Sequence, residues 1–308
     1  MSPTKTLEGR TAVVTGAGAG LGRAEALALA ELGAAVVVND VGPSAHDVVA
    51  EIQERGSRAV AVTGDVGEWS MGDRLVRTAV ESFGGLDVVV NNAGVLRDKM
   101  LFNLTESDWD DVIRIHLKGH AGISRAAAAH WRAASKASGA PVYGRVVNTS
   151  SEAFLFGAPG QPNYSAAKAG ITALTLSTAQ GLARYGVRAN AICPRARTAM
   201  TAEAFGEGVN APGGLDIMAP ERVAALVAHL ASPAADEING QVFVVYGDMV
   251  ALLAPPTVEH KFTAADGVFT PEELERQLTP YFDGRDPYRG YAAYSVAGLD
   301  TTGTQKTA

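Results

Sequence analysis

Between residue 10 and about residue 245, short β-branched runs alternate with longer alanine-rich stretches whose apolar positions recur at helical spacing. The candidate strands are TAVVT at 11–15, AVVVND at 35–40, AVAVTGD at 59–65, LDVVVNN at 86–92, RVVNTS at 145–150, VRANAI at 187–192 and QVFVV at 241–245. Several are apolar on both faces, as strands sandwiched between two helix layers must be. Between them, LGRAEALALAELG at 21–33 and DDVIRIHLKGHAGISRAAAAHW at 110–131 carry apolar residues at helical spacing, and Gly33 stands where a left-handed cap would close the first helix. The alternation predicts an α/β fold: a doubly wound sheet of about seven parallel strands, with right-handed crossovers that put helices on both faces.

The rhythm breaks twice. Residues 197–220 are rich in glycine and proline, an irregular segment of the kind that often covers a substrate. After residue 250 the pattern changes to one predicted helix, TPEELERQL at 270–278, and an aromatic tail, PYFDGRDPYRGYAAY at 280–294. We therefore expect a main domain over 1–249, with a substrate loop at about 197–220, and an extension over 250–308 of no assigned role whose last ten or so residues lack order.

Composition narrows the class. Hydrophobic residues make up 47% and charged residues 19%, and the 34 glycines are spread along the chain, which suits a turn-rich globule. A net charge of -7 argues against a nucleic-acid binder, because that affinity rests on clustered Lys and Arg. The single cysteine, Cys193, excludes an internal disulfide and a cysteine-based zinc site, so no metal is expected and a reducing cytoplasm fits. MSPTKTLEGR has no apolar signal core, and VFVVYGDMVALLAPP is too short and interrupted to span a bilayer, so no membrane insertion is expected.

The first strand runs into TGAGAGLGRAEALALA, with glycines at Gly16, Gly20 and Gly22. Residues without side chains let a backbone approach a pyrophosphate, whose charge then meets the N–H groups opening the next helix; a plain tight turn is the competing reading. Asp40 ends the second strand 24 residues beyond Gly16, where an acidic side chain receives the adenosine ribose hydroxyls, although a solvated turn residue would look the same. No Lys or Arg occurs at Ala17, Gly18, Ala19, Val41, Gly42 or Pro43 to offset its repulsion of a 2′-phosphate. A discrimination of about 3 kcal/mol would favour NAD over NADP roughly a hundredfold. Asp65 and Asn91 close strands three and four on the same carboxyl edge.

Tyr164 and Lys168 lie four apart in YSAAKAGITALTLSTA and project from one helix face. An ammonium held there would stabilise phenolate and lower the tyrosine pKa, and Ser151, at the end of the fifth strand, would bond the same substrate oxygen. A tyrosine and a lysine at this spacing, taken alone, are ordinarily packing residues.

Three signatures occur here in order: TGAGAGLG at 15–22, NNAG at 91–94, and Ser151 followed thirteen residues later by YSAAK. Together they resemble the short-chain dehydrogenase/reductase family over residues 7 to about 248. The resemblance implies a Rossmann fold with Tyr164 as catalytic acid/base, Ser151 orienting the substrate oxygen, and Lys168 binding the nicotinamide ribose and supporting the tyrosine. The dinucleotide positions it implies are Gly16, Gly20, Leu21, Gly22, Asp40, Asp65, Val66, Asn92, Ala93, Gly94, Pro194 and Thr198, together with Tyr164 and Lys168. Where the family usually has an asparagine whose main-chain carbonyl holds a water beside the lysine, this chain has His116, which joins the catalytic set by position. A buried, hydrogen-bonded histidine is its competing reading.

The LRD, DWD and HLKG features between residues 91 and 120, with GQPNYSAAKAG at 160–170, resemble the dehydrogenase part of multifunctional type 2 β-oxidation enzymes and their stand-alone bacterial relatives. That resemblance implies an NAD-dependent oxidation of a (3R)-hydroxyacyl-CoA. The alternatives are a hydroxysteroid dehydrogenase, a 3-oxoacyl thioester reductase and, more remotely, a non-catalytic nucleotide-binding scaffold. It also implies a homodimer or homotetramer built through helices near 107–134 and 163–184. Three features depart from the pattern: a short loop after Asp40, a carboxylate at Glu152 beside Ser151, and Arg195 in place of a glycine after Pro194. Arg195 is expected to pair with a phosphate or with Glu152.

Overall fold

The computed structural model describes residues 5–199, 201, 215–288 and 290–299. Most of the expected loop at 197–220 and the last residues of the tail lie outside the described residues. Eight strands form one sheet in the order β3-β2-β1-β4-β5-β6-β7-β8. They are β1 (Thr11–Thr15), β2 (Ala35–Asp40), β3 (Ala59–Thr63), β4 (Val88–Asn91), β5 (Gly144–Thr149), β6 (Val187–Pro194), β7 (Val242–Tyr246) and β8 (Met249–Leu252). The first seven are parallel, and β8 turns back antiparallel on β7, pairing Tyr246 with Met249. The sequence predicts seven strands because β8 is a four-residue edge strand that exposes Val250 and Leu252, a pattern weaker than that of a buried strand.

Alternate residues of the strands serve two cores. Val14, Val36, Val38 and Val90 pack with Leu27 and Leu29 of α1 (Gly20–Glu31), Ile52 of α2 (Ser44–Glu54) and Val227 further along the chain. Val13, Val37, Val89 and Val146 pack on the other face with Leu75 of α3 (Met71–Phe83) and Ile123 and Trp131 of a later helix. Parallel strands covered on both faces read as continuous apolar runs, which is why period-2 alternation is missing from the sequence. The order reverses its direction between β1 and β4, and this opens a crevice at the carboxyl ends of the strands.

The long stretch at 110–131 is not one regular helix. Residues Glu106–Val112 form α4, Ile113–Lys118 wind as a π turn, and Gly119–Ser138 form α5. Thr105 and Asp108 make a reciprocal cap that starts α4. The extra residue of a π turn leaves apolar periodicity nearly intact, so hydrophobic spacing does not reveal it. Beyond β5 come α6 (Ala153–Phe156) and α7 (Pro162–Leu182), with Pro162 at its first position, and α8 (Pro220–Ala231), which carries Val227. The last helices are α9 (Pro271–Phe282) and α10 (Tyr294–Ala297). Among the described residues no helix is long and apolar enough to cross a membrane.

One buried charge stands apart from these cores. Glu25, on α1, is 0% exposed, and neither carboxylate oxygen has a hydrogen-bond partner. Burial pushes its pKa from 4.5 up to about 8, so between those values the folded chain holds a proton that the unfolded chain has lost. Stability contributed at this site therefore falls as pH rises through that window. Glu25→Met is expected to stabilise the protein by about 2 kcal/mol above the window, with little gain below it. Urea unfolding of both proteins across the pH range 4.5 to 8 checks this, and a pH-independent difference would contradict it.

Candidate active site

The turn from β1 into α1 is shaped for a ligand that comes close to backbone. Gly16 and Gly20 adopt φ of +61° and +55°, which disfavour any side chain. A Cβ on Gly16 would stand 2.7 Å from the Cα of Ala93, and one on Gly22 would lie 2.6 Å from the Asn92 amide nitrogen and collide with the Gly16 carbonyl. The Asn92 amide donates to the carbonyls of Thr15 and Gly16 at 3.1 and 3.2 Å, holding the turn against the end of β4. No side chain caps α1, and its first turn has no acidic residue, so its opening N–H groups face the crevice without a competing anion.

At the carboxyl end of β2, Asp40 accepts from the Gly18 and Gly42 N–H groups at 2.9 and 3.2 Å. At the end of β3, Asp65 accepts from the Gly67 N–H at 2.7 Å and from Arg114 at 2.6 Å. Burial alone would raise Asp65, but those hydrogen bonds and the Arg114 charge hold it below the usual carboxylate range. Asp65 and Asn92 fall outside their strands, whereas the sequence places both inside; their side chains are engaged with turn backbone and not with the ladder. Asn91, in contrast, points away from the crevice: it is fully buried and donates to Ser124 at 3.1 Å and Asn148 at 2.8 Å.

These groups line a cavity of about 570 Å³ that also takes in Leu21, Val66, Ala93, Gly94, Pro194 and Thr198. The Thr198 methyl lies where a Cβ on Gly20 would be 3.2 Å away, so the two close one side of the cleft. Tyr164 and Lys168 reach the same cavity from α7. Lys168 is 2% exposed, donates from Nζ to the Thr149 carbonyl at 2.6 Å, and lies 5.3 Å from the centre of the Tyr164 ring. Burial brings its pKa down to about 7. Tyr164 moves the other way. Burial pushes its phenol up to about 12, opposed by a hydrogen bond from Ser151. The expected lowering by the ammonium is thus not what these surroundings give, because desolvation outweighs it and Lys168 is directed at Thr149. Ser151 follows β5, flanks Tyr164, and accepts from the Ala153 N–H at 3.2 Å.

His116 lies on the π turn, 1% exposed, with its ring edge-on to Tyr164 at 5.2 Å between centres. Its Nε2 meets the Val95 N–H at 3.0 Å and the Val95 carbonyl at 2.8 Å, while Nδ1 has no partner. The ring fills the space that any side chain at Gly94 would need. Sequence reasoning missed Arg114, whose only signal is its place two residues before His116 on the π turn. It also missed Asn163, beside Tyr164, whose amide donates to the carbonyls of Arg97 and Asp108 at 3.2 and 3.0 Å and so pins the start of α7 to the loop after β4.

A glycine cradle at an uncapped helix terminus, carboxylates at the ends of β2 and β3, and a half-buried tyrosine beside a buried lysine over the same cleft define a dinucleotide-dependent oxidoreductase. Comparison with known families agrees: the short chain dehydrogenase model matches residues 10–207, and the chain belongs to that family, oxidoreductases acting on CH–OH groups with a nicotinamide nucleotide. It is 56% identical over 298 residues to the hydroxyacyl-CoA dehydrogenase ChsB1 of Mycobacterium tuberculosis, spanning 94% of each chain. It is 40% identical over 255 residues to the peroxisomal multifunctional enzyme type 2 of Mus musculus, covering 80% of this chain and 32% of that longer protein. A crystal structure of a short chain dehydrogenase from Mycobacterium avium superposes with a TM-score of 0.83 at 44% identity, covering 94% of this chain and 99% of that one.

Burial drives the His116 pKa down to about 3, helped by the Lys168 charge, so its ring stays neutral at higher pH. NMR of the His116 ring carbons is expected to show no titration midpoint near the ordinary value of 6.5. A midpoint there would mean that the ring is not buried against Val95 as described.

Proposed function

We propose that the protein oxidises the secondary alcohol of a 3-hydroxyacyl-CoA thioester with NAD. The observation that carries the reaction is the half-buried Tyr164, flanked by Ser151 and Lys168, opening on the same cavity as the glycine turn. As the phenolate, Tyr164 would take the hydroxyl proton of the alcohol while the carbinol carbon gives up hydride to the bound nicotinamide, and the phenol so formed would return the proton in the reverse direction. Ser151 hydrogen-bonds the substrate oxygen and fixes it at the phenol. Lys168, held by Thr149, would hold the ribose next to the nicotinamide. His116 supports this cluster as a neutral wall behind Tyr164. The residues around the cleft suit a dinucleotide: Gly16, Gly20 and Gly22 admit the pyrophosphate, while Asp65, Val66, Asn92, Ala93, Gly94, Pro194 and Thr198 enclose the rest. When bound, the nicotinamide supplies the hydride acceptor.

Preference for NAD rests on Asp40, whose carboxylate sits on the glycine turn at Gly18, with no basic residue at 17–19 or 41–43 to receive a 2′-phosphate. The substrate class rests on likeness to the hydroxyacyl-CoA dehydrogenase over nearly the whole chain. The carboxylate of Glu152 beside Ser151 is no obstacle to an anionic thioester, because Arg195 neutralises it at 2.6 Å. A homodimer or homotetramer through α5 and α7, working in the cytoplasm, completes the reading.

The test is a panel of (3R)- and (3S)-hydroxyacyl-CoA and 17β-hydroxysteroids with NAD or NADP, following reduced nicotinamide by absorbance. Turnover with NAD, confined to one hydroxyacyl-CoA stereoisomer and reduced about 100- to 10,000-fold in Tyr164→Phe, is expected. Turnover of steroid alone would reassign the substrate. In a second assay, Asp40→Ala is expected to narrow the preference for NAD over NADP at least about tenfold; an unchanged ratio would remove Asp40 from cofactor selection.

A further inference from the structure

Arg195 immediately follows Pro194, which lines the cleft, yet its own side chain turns away from the cavity. Its backbone N–H extends the β6–β7 pairing to the Val245 carbonyl at 3.0 Å. The guanidinium then binds Glu152 in two places, Nε to Oε2 at 2.6 Å and Nη2 to Oε1 at 2.7 Å. Its remaining donors go to the end of the described chain, Nη2 to the Val296 carbonyl at 2.8 Å and Nη1 to the Leu299 carbonyl at 3.3 Å. The Tyr246 ring lies 4.6 Å beneath, and its hydroxyl donates to the same Leu299 carbonyl at 2.7 Å. The pair is largely shielded, with 18% of the arginine and 10% of the glutamate side chain exposed.

The same C-terminal residues grip the turn after Ser151 at a second point. The Ala293 N–H donates to the Leu155 carbonyl at 3.1 Å, and Val296 packs in an apolar cluster with Cys193 and Val244, against which Phe154 and Leu155 rest. From the α7 side, Ser165 donates to the Ala153 carbonyl at 3.0 Å, one residue past Tyr164. In this turn Ser151 is tied through its hydroxyl to the N–H of Ala153 at 3.2 Å and through its carbonyl to the N–H of Phe154 at 3.4 Å. Its hydroxyl therefore goes where residues 152–155 are held.

We infer that Arg195 is a positioning residue, and that it and residues 293–299 fix Ser151 against Tyr164 by clamping Glu152 and α6 to the end of β6. A bidentate arginine–carboxylate pair sets both distance and plane, which a lysine cannot do. Removing the arginine leaves a shielded carboxylate without its cation, one residue from Ser151, and the turn must move to reach water. A misplacement of about 1 Å at a reacting group can cost about a hundredfold in rate. The clamp also joins Ser151 to Pro194, so the two walls of the cleft move together.

This inference rests on the roles proposed for Ser151 and Tyr164, and the experiment separates the two. The groups facing the Tyr164 phenol are Ser151 in the turn after β5, Lys168 on α7, His116 on the π turn, Cys193 on β6 and Asp98 in the loop after β4. Of these, Ser151 adjoins the clamp through Glu152, and Cys193, two residues before Arg195, through its packing with Val296. Alcohol oxidation by Arg195→Ala, Arg195→Lys, Glu152→Gln and Tyr246→Phe is measured across pH, alongside Tyr164→Phe, with dinucleotide binding as the check on folding. Arg195→Ala is expected to lower kcat about 10- to 100-fold, to change the dinucleotide KM less than about threefold, and to move the pH midpoint of kcat upward as the Ser151 hydrogen bond is lost. Arg195→Lys recovers part of kcat, and Tyr246→Phe, which loosens only the tail, shows the same shift on a smaller scale. A dinucleotide-binding Arg195→Ala with the parent kcat and pH midpoint overturns the inference. If that variant does not bind dinucleotide, unshifted midpoints in both Glu152→Gln and Tyr246→Phe overturn it instead. Full turnover by Tyr164→Phe would sink the proposed chemistry and not the clamp.

Discussion

The amide of Asn92 spans the point at which the sheet reverses its winding, donating to the carbonyls of Thr15 and Gly16 across the ends of β4 and β1. Those two bonds fix the distance between the halves of the crevice. They keep the glycine turn open to a phosphate while tying the carbonyls at the end of β1 to the residue that follows β4. They also explain why Gly16 and Gly22 tolerate no side chain: Ala93 and the Asn92 amide occupy that space. Every other part of the cleft is placed relative to this bracket, whether it arrives from β2, β3, the π turn or α7.

Burial, more than any single charge, decides the electrostatics at the far end of the cleft. It moves Lys168 down to about 7, Tyr164 up to about 12 and His116 down to about 3, in each case favouring the uncharged form. Tyrosine and lysine therefore form a nearly charge-free chamber, with the Thr149 carbonyl and the Ser151 hydroxyl as its polar contacts. In such surroundings a charge that develops on a reacting oxygen is felt strongly, because little water screens it. Glu152 would disturb this balance from one residue beyond Ser151, and the guanidinium of Arg195 cancels its charge.

The parallel sheet and both helix layers were legible because strands buried on two faces must be apolar throughout, and Val36, Val37 and Val38 state this without ambiguity. The glycine turn, Asp40, Asp65, Tyr164 and Lys168 were legible too, since a fixed spacing on a strand end or a helix face carries them to one cleft. What escaped was set by contacts distant in sequence or by subtle winding. The π turn shifts Arg114 and His116 without altering the apolar rhythm. Asn91 and Asn92 are identical in type and adjacent, and only the pleat decides which enters the buried network and which the crevice. Arg195 was expected to find a phosphate or Glu152; it found Glu152, along with main-chain carbonyls about a hundred residues away that no local pattern announces.

That separation gives the chain an order of assembly. The eight-stranded sheet is complete once Leu252 has been made, and every strand of it can pair by then. The carbonyls that seat the Arg195 guanidinium belong to Val296 and Leu299, so they leave the ribosome only after more than forty further residues have followed β8. On a synthesis timescale of about 5–20 residues per second, a nascent chain would hold a finished dinucleotide fold for some seconds before its Ser151 turn is locked. The order of synthesis thus lets the scaffold form before the contacts of Arg195 with Val296 and Leu299 can.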